Sequence, residues 1–428
     1  MSELKDSGIA WVGVMPESWK IKRGKFTLKL LNRPLEKTDD VITCFRDGEV
    51  TLRKNRREEG FTVSLKEIGY QGIEPGDLVI HGMDGFAGAI GISDSRGKSS
   101  PVLVVCDSDE NKRFIMYYLR TMAYNDVFSA LATGIRVRSC DLRWNKLAEL
   151  PYILPSQEEQ KRIVPFLDGK SSQIDVLIAN VQSQIEKLKA YKQSLITEVV
   201  TKGLDPTVPM KDSGVEWIGE IPEHWGTVKL QYCARIRSGI TLGKRYPVGT
   251  ETIERPYLRV ANVQSGGVVL DNVKTVEVSM ADDLQYRLSS GEVLMTEGGD
   301  RDKLGRGCVW QGQIEPCLHQ NHIFALQPND LLDSQFLAYM TASNVGRVYF
   351  DITAIKTTNL ACTNSSKVLA FRFPLPDKGE QNDIVAVLDK KCSQIDRLIA
   401  IKQSKIEKLE QYKRSLIYEY VTGKKEVS

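Results

Sequence analysis

No run of apolar residues in this 428-residue chain approaches the ~18 needed to cross a bilayer, and no charged-then-apolar segment opens it. Neither a membrane span nor a secretory leader is therefore expected. An excess of one charge sign is also lacking: Lys and Arg number 58, Asp and Glu 55, for a formal charge of +3. A sum that small neither announces nor excludes a nucleic-acid ligand, because location matters more than the total. The eight cysteines, at 44, 106, 140, 233, 308, 317, 362 and 392, include no C-x-x-C pair, so reduced thiols in a cytosol are expected.

Motifs of catalysis are missing as well. No G-x-G-x-x-G opens a helix and no H-E-x-x-H occurs. The stretch Gly91–Ser99 resembles a phosphate loop but puts five residues before Gly97-Lys98 where the motif needs four. Of the four histidines, His319 and His322 lie near Cys308 and Cys317, without the spacing usual for structural zinc. No metal and no catalytic residue are expected. What remains is ordinary globular composition, 41% hydrophobic and 26% charged, which excludes wholesale disorder.

What the chain does contain is itself, twice. Lys5-Asp6-Ser7-Gly8, Trp11, Gly13, Pro16, Glu17 and Trp19 return as Lys211-Asp212-Ser213-Gly214, Trp217, Gly219, Pro222, Glu223 and Trp225. Residues 160–201 return as 381–422, with 27 of 42 aligned positions identical. The intervening stretches, about 28–159 and 234–380, show no comparable match. The organisation is a tandem duplication in which like framing elements hold two unlike inserts.

The longer repeat reads as a helix of about 36 residues, roughly 54 Å. Its apolar seam is Ile174, Val181, Leu188 and Leu195, flanked by Leu177 and Tyr191 and by Ile178 and Ile185. The second copy offers Ile395, Leu398, Ile399, Ile406, Leu409, Tyr412 and Leu416, with Lys402 at one seam position. Two matching stripes point to an antiparallel pair of helices with a pseudo-two-fold axis. Pro165 is placed in a first helical turn, and Gly203 and Gly423 are placed as stops. The tryptophans of the shorter repeat are expected to anchor the chain into each insert domain.

Both inserts read as mixed α/β with many short strands. The fold class is thus α+β: two mixed domains, 1–155 and 204–376, joined by two coiled-coil spacer helices, 156–203 and 377–428, through a linker at 203–210. Basic and amide side chains grip phosphate or read base edges. On that basis the first insert offers Arg46, Arg53, Lys54, Arg56, Arg57, Arg136 and Arg138. The second offers Lys244, Arg245, Arg259, Asn262, Arg301, Lys303, Arg306, Gln320, Asn321, Lys356, Thr357 and Asn359, several of them in the Gly-rich loop Glu297–Arg306.

The duplicated long helix, the duplicated W-x-G-x-x-P-x-x-W, the stretch Tyr257–Val263 and Pro374-Leu375-Pro376 before Gln381 together resemble the specificity subunits of type I restriction–modification systems. The resemblance covers essentially the whole chain. It implies that each insert is a target recognition domain reading one half of a split double-stranded DNA site. It implies that the helices set half-site separation and dock two modification (methyltransferase) subunits carrying S-adenosylmethionine, with motor/nuclease restriction subunits joining them. The chain itself would bind no cofactor, catalyse nothing and work in the cytoplasm. The alternative is a two-domain protein-binding scaffold with a helical spacer.

Overall fold

The computed structural model describes residues 3–56, 67–130, 142–299, 304–305, 307–356 and 361–427. Two compact units emerge: Met1–Gln182 with Ser404–Ser428, and Ser183–Gln403. The first unit thus holds the N-terminal part of the first long helix and the C-terminal part of the second, and the second unit holds the converse parts.

Both long helices are present and begin earlier than the apolar pattern implies. They run Gln157–Lys202 and Lys378–Val421, 46 and 44 residues. The extra turns come from N-terminal caps. Glu159 N–H donates to Ser156 Oγ and Ser156 N–H donates to the Glu159 carboxylate, each at 3.2 Å. That is the reciprocal S-x-x-E arrangement that satisfies orphan donors. Asp377 takes the corresponding bond from Glu380 N–H at 2.9 Å. Pro165 therefore lies inside the helix rather than in its first turn, which corrects the expectation. Its exposed side leaves the unbonded carbonyl one turn back within reach of water. The stops are as expected: Gly203 and Gly423 take φ of +76° and +71°, conformations an L side chain adopts only under strain.

The seam also needs one correction. Ile174, Val181 and Ile185 are buried, as are Ile395, Ile406 and Leu416, while Ile178, Leu188, Leu195, Ile399 and Leu409 are half-buried. Leu177 and Leu398 do not pack in the seam; each is 47% exposed. At 3.6 residues per turn, a position three on from a seam residue is rotated about 60° away, and a position four on about 40° the other way. The seam takes the i+4 row (Ile178, Ile185) and leaves the i+3 row (Leu177, Tyr191) outside.

Polar pairs fix the helix register within each unit. In the first unit Lys413 Nζ reaches Asp175 at 2.6 Å and Phe166 packs on Tyr420 with ring centroids 4.6 Å apart. In the second, Lys192 Nζ reaches Asp396 at 2.7 Å and Lys402 Nζ donates to Gln184 at 2.6 Å. Rising numbers on one helix meet falling numbers on the other, so the segments are antiparallel in both units. The two Lys–Asp pairs join the same duplicated positions.

The inserts lack matching sequence, yet each unit carries the same sheet. In the first it is Lys29–Leu30, Leu103–Asp107, Leu78–His81, Ile90–Ile92 in spatial order, all antiparallel. In the second it is Ala234–Ser238, Ile323–Pro328, Val293–Thr296, Gly307–Val309. Chain order through the sheet is identical. A helix capped by Asn111 or Asp333 follows the last strand: Lys112–Tyr124 in one unit, Ser334–Ala342 in the other. The strand before the sheet pairs with the strand before the long helix, Lys20–Arg23 with Pro151–Leu154 and Gly226–Lys229 with Arg372–Leu375.

The tryptophans anchor this frame as expected. Trp19 and Trp225 are 3% and 1% exposed. Their indole N–H groups donate to Glu159 at 3.2 Å and Glu380 at 2.8 Å. A Cβ on Gly423 would meet the Trp19 ring at 3.4 Å, and one on Gly203 the Trp225 ring at 3.3 Å. Gln160 and Gln381, both buried, accept from Asn111 N–H and Asp333 N–H at 2.8 Å. They donate to the carbonyls of Pro155 and Pro376. Asp168 and Asp389 accept from Tyr117 and Tyr339 at 2.6 Å.

Candidate nucleic-acid interface

The units differ in what the common sheet carries. In the first unit the hairpin Ile42–Cys44 with Val50–Leu52 lies over the sheet face that presents Val79. Its turn rests on the neighbouring strand so closely that a Cβ on Gly91 would lie 1.9 Å from the Gly48 carbonyl. Only glycine permits that approach. A short turn, Arg53–Asn55, follows. These elements bring Arg46, Arg53 and Arg56, separate in sequence, to one cavity of about 710 Å³, with Phe45, His81 and Asp84.

Acids hold the cations in that cavity. Arg46 Nη2 lies 2.9 Å from Asp84 Oδ1. Arg56 pairs with Asp47 at 2.6 Å and Glu49 at 3.0 Å, and stacks 4.2 Å over the Phe45 ring. Lys54 pairs with Asp40, and Arg53 Nε donates to Thr43 Oγ1 at 3.3 Å. The Asp47 carboxyl is held below the usual range: burial opposes this, but its bonds to Arg56 and to the Glu49 N–H win. Paired and stacked in this way, the arginines present fixed donor forks rather than mobile charges.

The second unit's sheet carries a different structure. Strands Lys274–Ser279, Thr252–Leu258 and Leu318–His319 form a three-stranded sheet beside a helix at Met280–Tyr286. Arg259, Asn262 and Gln320 come together here, but Asn262 faces inward. It is 4% exposed; Oδ1 accepts from Arg259 N–H at 2.9 Å, and Nδ2 donates to the Val269 carbonyl at 2.8 Å. Its role is to close a turn, which corrects the expectation of a base contact. Gln320 Oε1 accepts from Val260 N–H, and Arg259 donates to the Asn272 carbonyl. Lys244 pairs with Asp282 at 2.6 Å, while Arg245 is exposed and Asn321 half-buried. In the Gly-rich loop, Gly298–Gly299 form a strand against Ala361–Cys362. Arg57, Arg136, Arg138, Arg301, Lys303, Arg306, Thr357 and Asn359 lie outside the described residues, as does the Lys356 side chain.

The sequence reading missed His81, at the end of an otherwise apolar strand. Its Nδ1 accepts from Met83 N–H at 3.3 Å and Asp84 N–H at 3.0 Å. A ring nitrogen that accepts carries no proton, so the ring is the neutral Nε2–H tautomer. Burial also lowers its pKa, with Asp84 opposing and Arg46 assisting. His319 is different: it is fully buried on the second unit's three-stranded sheet, and burial lowers its pKa to about 4.

The chain has matches among known proteins. No family model matches the chain. The MjaVIII type I restriction enzyme specificity subunit of Methanocaldococcus jannaschii is 25% identical over 426 residues, covering 96% of this chain and 93% of its own. The StySPI type I specificity subunit of Salmonella potsdam is 22% identical over 394 residues, covering 87% and 82%. The chain is thus similar over most of its length to specificity subunits of type I restriction enzymes. Its fold agrees: a chain solved in work on complex assembly and conformational transition of the type I R-M system superposes with a TM-score of 0.69 at 16% identity, covering 95% of this chain and 98% of that one.

Proposed function

We propose that this chain is a type I specificity subunit that reads a split, asymmetric DNA target, one half per insert, and positions two identical modification subunits on it. The observation that carries this reading is the contrast between frame and surface. The bonds of Trp19, Gln160 and Asp168 recur at Trp225, Gln381 and Asp389, while the structures the two sheets carry differ. A duplicated frame suits two copies of one partner, and unlike surfaces suit unlike half-sites. The recognition domains are residues 1–155 and 204–376, and the spacers are 156–203 and 377–428. Acting on host DNA, the subunit works in the cytoplasm.

The exposed i+3 rows are the docking faces. Leu177 and Leu398 are each 47% exposed, and Tyr191 and Tyr412 are 55% and 58% exposed. Both pairs are identical between the copies although neither is needed for the seam. Exposed apolar groups in matching places are what a partner bound twice would cover. Those partners supply the S-adenosylmethionine chemistry, and the motor/nuclease subunit adds cleavage.

A salt titration of duplex binding by the chain assembled with its modification subunits tests the reading. With six to ten phosphate contacts, affinity falls on the order of 10³–10⁵-fold between 50 and 200 mM salt. Absent or salt-insensitive binding would sink it.

A further inference from the structure

The first insert's cavity holds a donor and an acceptor whose geometry is fixed before any ligand arrives. Strand residues alternate faces, so His81 shares the face of Val79, the side covered by the Ile42–Leu52 hairpin. The backbone N–H groups of Met83 and Asp84 occupy its Nδ1. The polar group His81 has left for the cavity is Nε2–H, which can only donate while the ring is neutral. Asp84, the residue whose N–H fixes that tautomer, also lines the cavity. Its Oδ1 takes Arg46, which leaves Oδ2 as an acceptor, with a third of the side chain exposed. The hairpin that bears Phe45, Arg46 and Asp47 is seated by close backbone contact, since Gly48 and Gly91 leave no room for a Cβ. A short donor beside a short acceptor, set back between arginine forks, does not suit a phosphate, because Asp84 would repel it. It suits a base edge offering an acceptor next to an amino group. Adenine offers that pair in the major groove, N7 accepting and N6 donating.

We propose that His81 and Asp84 read an adenine in the half-site recognised by the first insert: His81 Nε2–H donates to N7, and Asp84 accepts from the N6 amino group. This rests on the DNA-reading function proposed above and names one of its specificity determinants. Arg46 holds the Asp84 carboxylate in place.

Two substitutions separate reading from folding. Asn at 81 places an amide oxygen near the position of Nδ1, so His81→Asn keeps the acceptor for the turn and removes the donor. Gln places an amide nitrogen near the position of Nε2, so His81→Gln keeps the donor. The assembled complex is titrated with duplexes of its methylation site in which each adenine of the first insert's half-site is replaced singly by 7-deazaadenine. With the unsubstituted chain, one position should weaken binding about 5- to 100-fold. That position should make no difference to the His81→Asn complex, which already binds the intact site weakly. The His81→Gln complex should keep most of the discrimination. Equal loss at every position in the unsubstituted and His81→Asn complexes would overturn the assignment and leave the DNA-reading function standing. Failure of the unsubstituted complex to prefer its site over unrelated duplex would overturn both.

Discussion

The Trp19 and Trp225 lead-ins make the same bonds in the two units, whereas the loops borne by the two sheets share almost nothing. Trp19 with Glu159 and Trp225 with Glu380 recur in detail, down to the glycine packed on each ring. Between the first and second sheet strands in the chain, one unit has a two-stranded hairpin, and the other has two strands and a helix of a three-stranded sheet completed later by Leu318–His319. The difference teaches where constraint acts. On the proposed reading, a frame that holds two copies of one partner keeps its side chains, and a surface that reads two different sequences gives them up. The sheets beneath lie between these extremes: backbone order is retained while the residues are exchanged.

If the two frames are energetic equivalents, paired substitutions must cost alike. The largest effect is expected at the anchors. Trp19→Ala and Trp225→Ala should each destabilise by about 3–5 kcal/mol, by the cavity left and the loss of the Glu partner. Denaturant unfolding checks this, and a cost at one site only would break the equivalence. Gln160→Leu and Gln381→Leu should follow at about 1–3 kcal/mol, because each strands a buried N–H and a carbonyl. The Lys192–Asp396 and Lys413–Asp175 pairs come next. Partly exposed, each should show a coupling of only about 0.2–1 kcal/mol in a double-mutant cycle, falling with salt. Leu177→Ala and Leu398→Ala should change folding stability least, within about 0.5 kcal/mol. Each should nevertheless weaken capture of one of two modification subunits, read by native mass spectrometry. Loss of stability without loss of capture would return these leucines to the seam.

The sequence made some of this architecture legible. The helices announce themselves because an apolar seam repeats over many turns, and the lead-ins because tryptophan, glycine and proline recur at fixed spacing. The caps at the helix starts were hidden, since Ser156 and Glu159 are recognisable as a cap only when the helix is known to reach back to them. Most strands of the common sheet were legible as short apolar runs such as Leu78–His81 and 323–326, but their order was not, because it is set by contacts far apart in the chain. In the candidate site, the run from Arg53 to Arg56 was visible as basic charge. Its carboxylate partners were not, because Asp40, Asp47 and Glu49 come from elsewhere on the hairpin and its flanks. Asn262 was misread for the same reason: its amide is spent on a turn between residues that sequence alone does not bring together. His81 carried one usable signal, a lone polar residue ending the apolar run Leu78–Ile80 just before Gly82.

The central claim is that reading is divided between the inserts while the frame is shared. Replacing residues 28–150 by the corresponding insert of another specificity subunit, then mapping methylated sites across the host genome, tests it most directly. The account predicts that one half of the target changes and the other half stays as it was. A change in both halves, or in neither, would contradict it.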